Sequence, residues 1–338
     1  MTENKDILID HLIEQYSKNY QLSDLHIRAN QPLAIREHGE IVTFPDDTVS
    51  GEDIKIFLKK HIDSFHAEKF EKEKQIDTAI VVEGIRYRAN IYETLNGDSI
   101  VLRKIETIVP IAEDLNLPPV ILSACDYRNG LILLTGPTGS GKSTTTASMI
   151  NRINLIRKEN IITIEDPIEF IHANQMCIIS QREIGKHVTS FANGLRGALR
   201  EDPDIILLGE MRDYETVSAA LTAAETGHLV IGTLHTNGAP NTINRLVDVF
   251  PAAQQPQARS MLSQSLRLVV TQQLFKKKDG TGRVGAYEVM VCNSAVQNLI
   301  RENKVFQIPS IMQTAMAEGM ITMDKAIENL KATGAILI

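Results

Sequence analysis

Gly136-Pro137-Thr138-Gly139-Ser140-Gly141-Lys142-Ser143 is the stretch on which the reading of this chain turns. It satisfies G-x-x-x-x-G-K-[ST] at every fixed position, and its surroundings fit too. Before it, Leu131-Ile132-Leu133-Leu134-Thr135 is a short apolar run, long enough for one buried strand. After it, residues 143–156 read as a helix. Strand, glycine-rich loop and helix in that order turn a pattern into a mechanism. Glycines let the backbone curl so that successive N–H groups face a phosphate chain, and the helix N-terminus adds partial positive charge. The phosphate-binding set is Gly136, Pro137, Thr138, Gly139, Ser140, Gly141, Lys142, Ser143 and Thr144. Within it Lys142 reaches the β- and γ-phosphates of a nucleoside triphosphate and Ser143 ligates Mg²⁺. A glycine-rich turn with a chance lysine is the plain alternative, and the flanking strand and helix argue against it.

Outward from the loop, composition sets limits. A chain of 338 residues suits two domains better than one, and its 43% hydrophobic content can fill their cores. No apolar run approaches the ~18–20 residues that span a bilayer. Met1-Thr2-Glu3-Asn4-Lys5-Asp6 lacks the basic-then-apolar layout of a secretory signal. These features give the expectation of a soluble cytoplasmic protein. The formal charge of −7 argues against a broad electrostatic footprint for nucleic acid. Cys125, Cys177 and Cys292 are far apart and form no C-x-x-C, which leaves no four-cysteine zinc site. They read as small buried apolar residues.

Upstream of the loop, residues 4–20 carry Ile7, Leu8, Leu12, Ile13 and Tyr16 at helical spacing. Ser23-Asp24-Leu25-His26-Ile27-Arg28 alternates as a half-buried strand does. Residues 32–35, with a turn at Glu37-His38-Gly39-Glu40, suggest a strand and a hairpin. Residues 51–74 read as helical, with Ile54, Phe57, Leu58, Ile62 and Phe65 on one face. Strands are expected at 77–82, 85–92 and 98–103, with an Asn-Gly turn signal at Asn96-Gly97. Residues 1–106 therefore form a small α+β domain of antiparallel character. Residues 107–119, bracketed by Pro110 and Pro118-Pro119, read as a semi-rigid linker.

Residues 120–338 alternate strands and helices, which predicts a parallel sheet covered on both faces. Strands are expected at 161–164, 176–180, 205–208 and 229–233, with helices at 190–200, 213–226, 239–248 and 254–265. Residues 268–275 and 284–291 form a hairpin whose tip, with Lys276-Lys277-Lys278, is solvated. Residues 294–332 form short helices, with Met312, Met316, Met320 and Met323 spaced as core filler along one face.

Three motifs gain meaning from the phosphate loop. Ile164-Glu165-Asp166-Pro167 puts two acids just past a short strand, where an α/β sheet places its ligands. Ile205-Ile206-Leu207-Leu208-Gly209-Glu210 is an apolar strand delivering an acid, the logic of a Walker B element, here with Glu after Gly. The bland reading of either acid is a charge complementing a helix dipole. Finally, His228 and His235 bracket one strand. Seven residues apart, they cannot share one face of a flat strand, which argues against a shared metal; either reads as a hydrogen-bonded core histidine, or one of them as a γ-phosphate sensor.

Together Gly136–Ser143, the Ile164–Pro167 box, Leu199-Arg200-Glu201-Asp202-Pro203-Asp204, Gly209-Glu210-Met211-Arg212-Asp213 and the Thr226-Gly227-His228 to His235-Thr236 stretch resemble the secretion ATPase superfamily of type II secretion and type IV pili. Asn298-Leu299-Ile300-Arg301-Glu302 is similar to the tail signature of its pilus-retraction branch, and Ser23-Asp24-Leu25-His26 fits as well. The resemblance implies a PAS-like N-terminal domain followed by a RecA-like P-loop domain with a helical C-terminal tail. It also implies a homo-hexamer that hydrolyses ATP with Mg²⁺ and works on the inner-membrane platform protein of the pilus machine, peripheral to the membrane through that partner alone. By the same resemblance Glu165 activates the water and Glu210 holds the Mg²⁺ shell, roles that can also be exchanged. His228 and His235 match the histidine box, and Arg88 and Arg103 match arginines that reach the nucleotide phosphates. One departure stands out. Where the tail signature begins Ala-Ile-Arg, this chain has Ala295-Val296-Gln297, so a neutral amide replaces a cation. The competing readings are another branch of the superfamily, serving pilus extension, accessory retraction or type II secretion; a RecA-like nucleic-acid motor; and a nucleotide-binding regulator without turnover.

Overall fold

The computed structural model describes residues 8–20, 22–37, 40–105 and 109–336. The start of the helix expected over 4–20, the His38-Gly39 turn and the 106/107 boundary lie outside the described residues. The chain divides into two compact units, Met1–Ile108 with Pro167–Phe170, and Val109–Asp166 with Ile171–Ile338.

In the first unit the order is α1 (Leu8–Asn19), β1 (Leu22–Arg28), β2 (Pro32–Glu37), β3 (Glu40–Thr48), α2 (Gly51–His61), α3 (Ser64–Glu73), β4 (Gln75–Val82), β5 (Ile85–Thr94) and β6 (Gly97–Lys104). Its six strands form one antiparallel sheet, ordered β3-β2-β1-β6-β5-β4. Alternation sends Leu25, Ile27, Ile35, Ile91, Ile100 and Leu102 into a core shared with Ile9 and Ile13 of α1 and Phe57 of α2. The helix expected over 51–74 is two helices. Ile62 is extended (φ −108°, ψ 142°), and the Asp63 carboxylate accepts from the His66 N–H at 2.9 Å to begin a new helix. A local cap thus overrides a continuous apolar spacing.

The second unit runs α4 (Pro119–Ala124), β7 (Gly130–Thr135), α5 (Lys142–Ile156), β8 (Asn160–Glu165), β9 (Ile178–Glu183), α6 (Phe191–Ala198), β10 (Ile205–Leu208), α7 (Tyr214–Glu225), β11 (Leu229–Leu234), α8 (Ala239–Asp248), α9 (Gln255–Ser265), β12 (Leu266–Lys276), β13 (Arg283–Val291), α10 (Ser294–Arg301), α11 (Ile308–Thr314) and α12 (Met323–Ala332). Its sheet order is β13-β12-β7-β11-β10-β8-β9, parallel except for the β12–β13 hairpin. Strands β7, β10 and β11 are buried at every residue, as strands covered on both faces must be. One core lies on each face: Leu131, Leu133, Ile206 and Val230 meet α6–α11 residues, while Ile132, Leu134, Ile205 and Ile231 meet Met149 and Ile150 of α5.

The stretch expected as a linker is packed. From Val109 it belongs to the second unit, and Ala112 and Leu117 are buried beside Ile121. Proline at 119 opens α4 instead of interrupting the chain, because the first helical position needs no N–H partner. The lysine-rich tip is exposed, yet its backbone is held: Lys278 N–H donates to the Ala335 carbonyl at 2.9 Å. The four methionines do not share one helix. Met312 and Met320 are buried, whereas Met316 is largely exposed in a 3-10 turn. Helix α10, which carries the tail signature, anchors itself through Val296 and Ile300.

Candidate active site

The loop begins where β7 ends. Gly136 sits at φ +137°, and a Cβ there would lie 2.4 Å from the Gln272 carbonyl oxygen. Only glycine lets the chain turn between β7 and β12. Gly141 is the N-cap of α5 and supplies no side-chain cap, which suits this helix N-terminus to an anionic ligand. Lys142 folds back over the loop. Its Nζ donates to the Gly136 carbonyl at 2.7 Å and the Pro137 carbonyl at 3.0 Å, and the residue is 8% exposed. Ser140 is buried with an Oγ that has no hydrogen-bond partner. Leaving a buried hydroxyl unpaired is costly, and a phosphate oxygen would satisfy it. The residues present therefore fit a phosphate chain. They also fit Mg²⁺ held mainly by phosphate and water. Ser143 and Glu210 offer hard oxygen donors, and among the described residues no group of three His, Cys, Asp or Glu forms a self-contained metal site.

The acids arrive on neighbouring strands. After β10, the Gly209 N–H donates to the Ile164 carbonyl at 2.8 Å and the Met211 N–H to the Thr233 carbonyl at 3.0 Å. The backbone around Glu210 is thus clamped between the ends of β8 and β11. Arg212 grips Glu210 with two nitrogens, Nη2 donating to Oε2 at 2.5 Å and Nε to Oε1. That bond raises the Arg212 pKa above its ordinary value.

His235 joins this acid to the loop. Its Nε2 lies 3.4 Å from Glu210 Oε1 and its Nδ1 3.5 Å from Lys142 Nζ. An ammonium only donates, so Nδ1 takes the acceptor role toward Lys142 while Nε2 faces the Glu210 carboxylate. A polar chain results, from Lys142 through His235 and Glu210 to Arg212. The motif that contains Arg212 was legible in sequence, but nothing in it singled out this side chain.

Glu165 closes β8. Thr163 Oγ1 donates to its Oε1 at 2.6 Å, and Gln181 Nε2, on β9, donates to the same oxygen at 3.3 Å. Its backbone abuts that of the other acid, since a Cβ at Gly209 would lie 3.1 Å from Glu165 Cα.

His228 is not brought to the loop. Leu229 is in register with Gly130 and Leu234 with Thr135, so the two histidines lie at opposite ends of β11, roughly 20 Å apart at strand rise. His228 instead donates from Nδ1 to the Ala223 carbonyl at 3.0 Å and closes the C-terminus of α7. Arg88 and Arg103 lie in the first unit as register partners on β5 and β6, so both side chains leave the same face. Arg103 Nε donates to the buried Asp24 carboxylate at 2.8 Å, and Arg88 Nε stands 3.7 Å from Asp77. The Ser23-Asp24 motif thereby acquires a purpose that its sequence did not disclose.

Comparison with known proteins agrees with this architecture. Residues 55–335 match the family described as type II/IV secretion system protein. The chain is 46% identical over 303 residues to a twitching motility protein of Neisseria gonorrhoeae, across 89% of this chain and 81% of that one. It is 44% identical over 322 residues to the type IV pilus retraction ATPase PilT of Pseudomonas aeruginosa, across 95% of this chain and 93% of that one. Among solved structures, the pilus retraction motor PilT with bound ADP superposes with a TM-score of 0.90 at 44% identity, covering 98% of this chain and 94% of that chain. The fold is accordingly a PAS-like α+β domain followed by a RecA-like P-loop domain with a helical tail.

Proposed function

From the premise that the chain belongs to the type II/IV secretion system protein family, we propose that it is a motor ATPase that hydrolyses ATP to retract type IV pili. The observation that carries this reading is the contact chain from Lys142 through His235 and Glu210 to Arg212, which ties the phosphate loop to the Walker B acid.

ATP enters by replacing the carbonyls that now occupy Lys142, which turns to the β- and γ-phosphates while the Ser140 hydroxyl and the N–H groups of the α5 N-terminus donate to the phosphate oxygens. Ser143 and Glu210 would hold Mg²⁺, which would supply charge neutralisation at the phosphoryl oxygens. Glu165 orients the attacking water and takes its proton. His235 loses its Lys142 contact when the lysine moves, and so reports the γ-phosphate to Glu210. Six copies form the ring, which acts at the cytoplasmic face of the inner membrane through the platform protein of the pilus machine and takes no nucleic acid. Among the described residues no helix is long and apolar enough to cross a membrane.

Lys142→Ala is expected to abolish phosphate release while ring assembly persists, and normal turnover in that variant sinks the site assignment. Deletion of the gene is expected to leave excess surface pili. Bald cells would point to extension instead, and ATP turnover stimulated by single-stranded DNA and suppressed by salt would point to a nucleic-acid motor.

A further inference from the structure

Glu165 has support that the loop and the two acidic motifs do not account for. Strand β9 lies beside β8 in parallel register, with Gln181 opposite Thr163 and Glu183 opposite Glu165. Thr163 and Gln181 therefore project from the same face of the sheet as Glu165, and both donate to its Oε1, at 2.6 and 3.3 Å. The far end of the Gln181 amide is also engaged. Its Oε1 accepts from the His172 N–H at 2.9 Å, on the segment that returns from β8 to β9. A backbone N–H can only donate, so it holds the amide oxygen and turns the NH₂ toward the carboxylate. The reverse orientation would set oxygen against oxygen and N–H against N–H.

We infer that Gln181 is a positioning residue for Glu165: its amide, locked by the His172 N–H, anchors one carboxylate oxygen and so sets the direction in which the other addresses the attacking water. This rests on the reading of Glu165 as the base. Anchoring one oxygen fixes the last side-chain torsion, which is otherwise broad. A donor to the ionised carboxylate also favours the basic form that must accept a proton. The 3.3 Å separation is long for an amide donor, as catalytic hydrogen bonds often are before substrate closes the site. Glutamine alone among the natural side chains of this length offers the acceptor and the donor together. Leucine removes both. Glutamate keeps the shape and sets a second carboxylate beside the first.

The test compares Gln181→Leu, Gln181→Glu and Glu165→Gln in the full-length ring, by single-turnover phosphate formation across pH and by the KM for ATP. Gln181→Leu is expected to slow the chemical step by roughly tenfold, the worth of one hydrogen bond, with KM changed less than about twofold. Gln181→Glu is expected to move the acid limb of the pH–rate profile upward by about one unit, as a neighbouring like charge does. A merely structural role would move the melting temperature and not that limb. If Gln181→Leu fails to fold, the limb in Gln181→Glu decides alone. Unchanged rate and unchanged limb in the Gln181 variants, with Glu165→Gln inactive, overturn this inference and leave the base assignment standing. Normal turnover in Glu165→Gln overturns both.

Discussion

Gly209→Ala tests whether the two acids are held at a distance set by bare backbone. A Cβ at this position would lie 3.1 Å from Glu165 Cα, 3.2 Å from the Ile164 carbonyl oxygen and 3.6 Å from the Phe191 ring, where ordinary contact begins near 3.4 Å. The first two neighbours are backbone, so neither can rotate away. Strand β8 must retreat from β10 by a few tenths of an ångström, and Glu165 moves with it. Overpacking of this kind costs about 1–3 kcal/mol, which lowers Tm by roughly 3–10 °C in a domain of this size. Misplacement by 1 Å can cost about a hundredfold in rate, so a shift of a few tenths should lower kcat by roughly 3- to 30-fold. The loop from Gly136 to Ser143 is untouched, and the KM for ATP should change less than about twofold. Phosphate release and thermal unfolding, measured on the same preparation, separate the two effects. A variant with lowered Tm and unchanged kcat would refute the claim that this gap aligns the acids.

Two further outcomes follow from buried groups. Burial pushes the Cys125 and Cys292 thiols up to about 12 and raises Cys177 as well, so the native chain should not react with DTNB at pH 8 over minutes, while all three thiols titrate in denaturant. Fast labelling of the native chain would contradict the packing on both faces of the sheet. Burial also holds the His172 imidazole neutral, lowering its pKa to about 4 from the usual 6.5. Between those values the unfolded chain binds a proton that the folded chain does not. Its contribution is therefore complete above about pH 6.5 and fades as pH falls toward 4, by about 3 kcal/mol in all. Urea midpoints at pH 7 and pH 5 should show a smaller acid loss for His172→Gln than for the native chain, and equal losses would remove the effect.

Legibility followed how locally each feature is encoded. The phosphate loop, β10 and α8 could be placed from sequence because a fixed motif, an apolar run and a helical spacing each lie within a few residues. The break at Asp63 is equally local, yet the apolar periodicity through Ile62 and Phe65 obscured it. Strand β3 is mostly exposed and β9 continues into Gln181-Arg182-Glu183, and edge strands with polar faces give little periodic signal. The candidate site was legible as a set of motifs but not as contacts. The spacing of His228 and His235 says that they bracket a strand, while only the register with β7 says which end faces the loop. Gln181 and Asp24 act through partners one or more strands away, and Arg212 through a loop geometry that no spacing rule encodes.

The sheet order also divides the site by resilience. Strand β7 is bonded on both sides and buried along its whole length, whereas β9 has one neighbour and ends the sheet, with Ile178 64% exposed. Amide protons of Leu131–Leu134 should therefore be among the slowest to exchange, and those of β9 should open through local fluctuations well below the global unfolding free energy. Lys142 is rooted in the protected part and the Gln181 support of Glu165 in the compliant part. Mild heat or denaturant should then stop turnover while nucleotide still binds, because the cradle outlasts the alignment of Glu165.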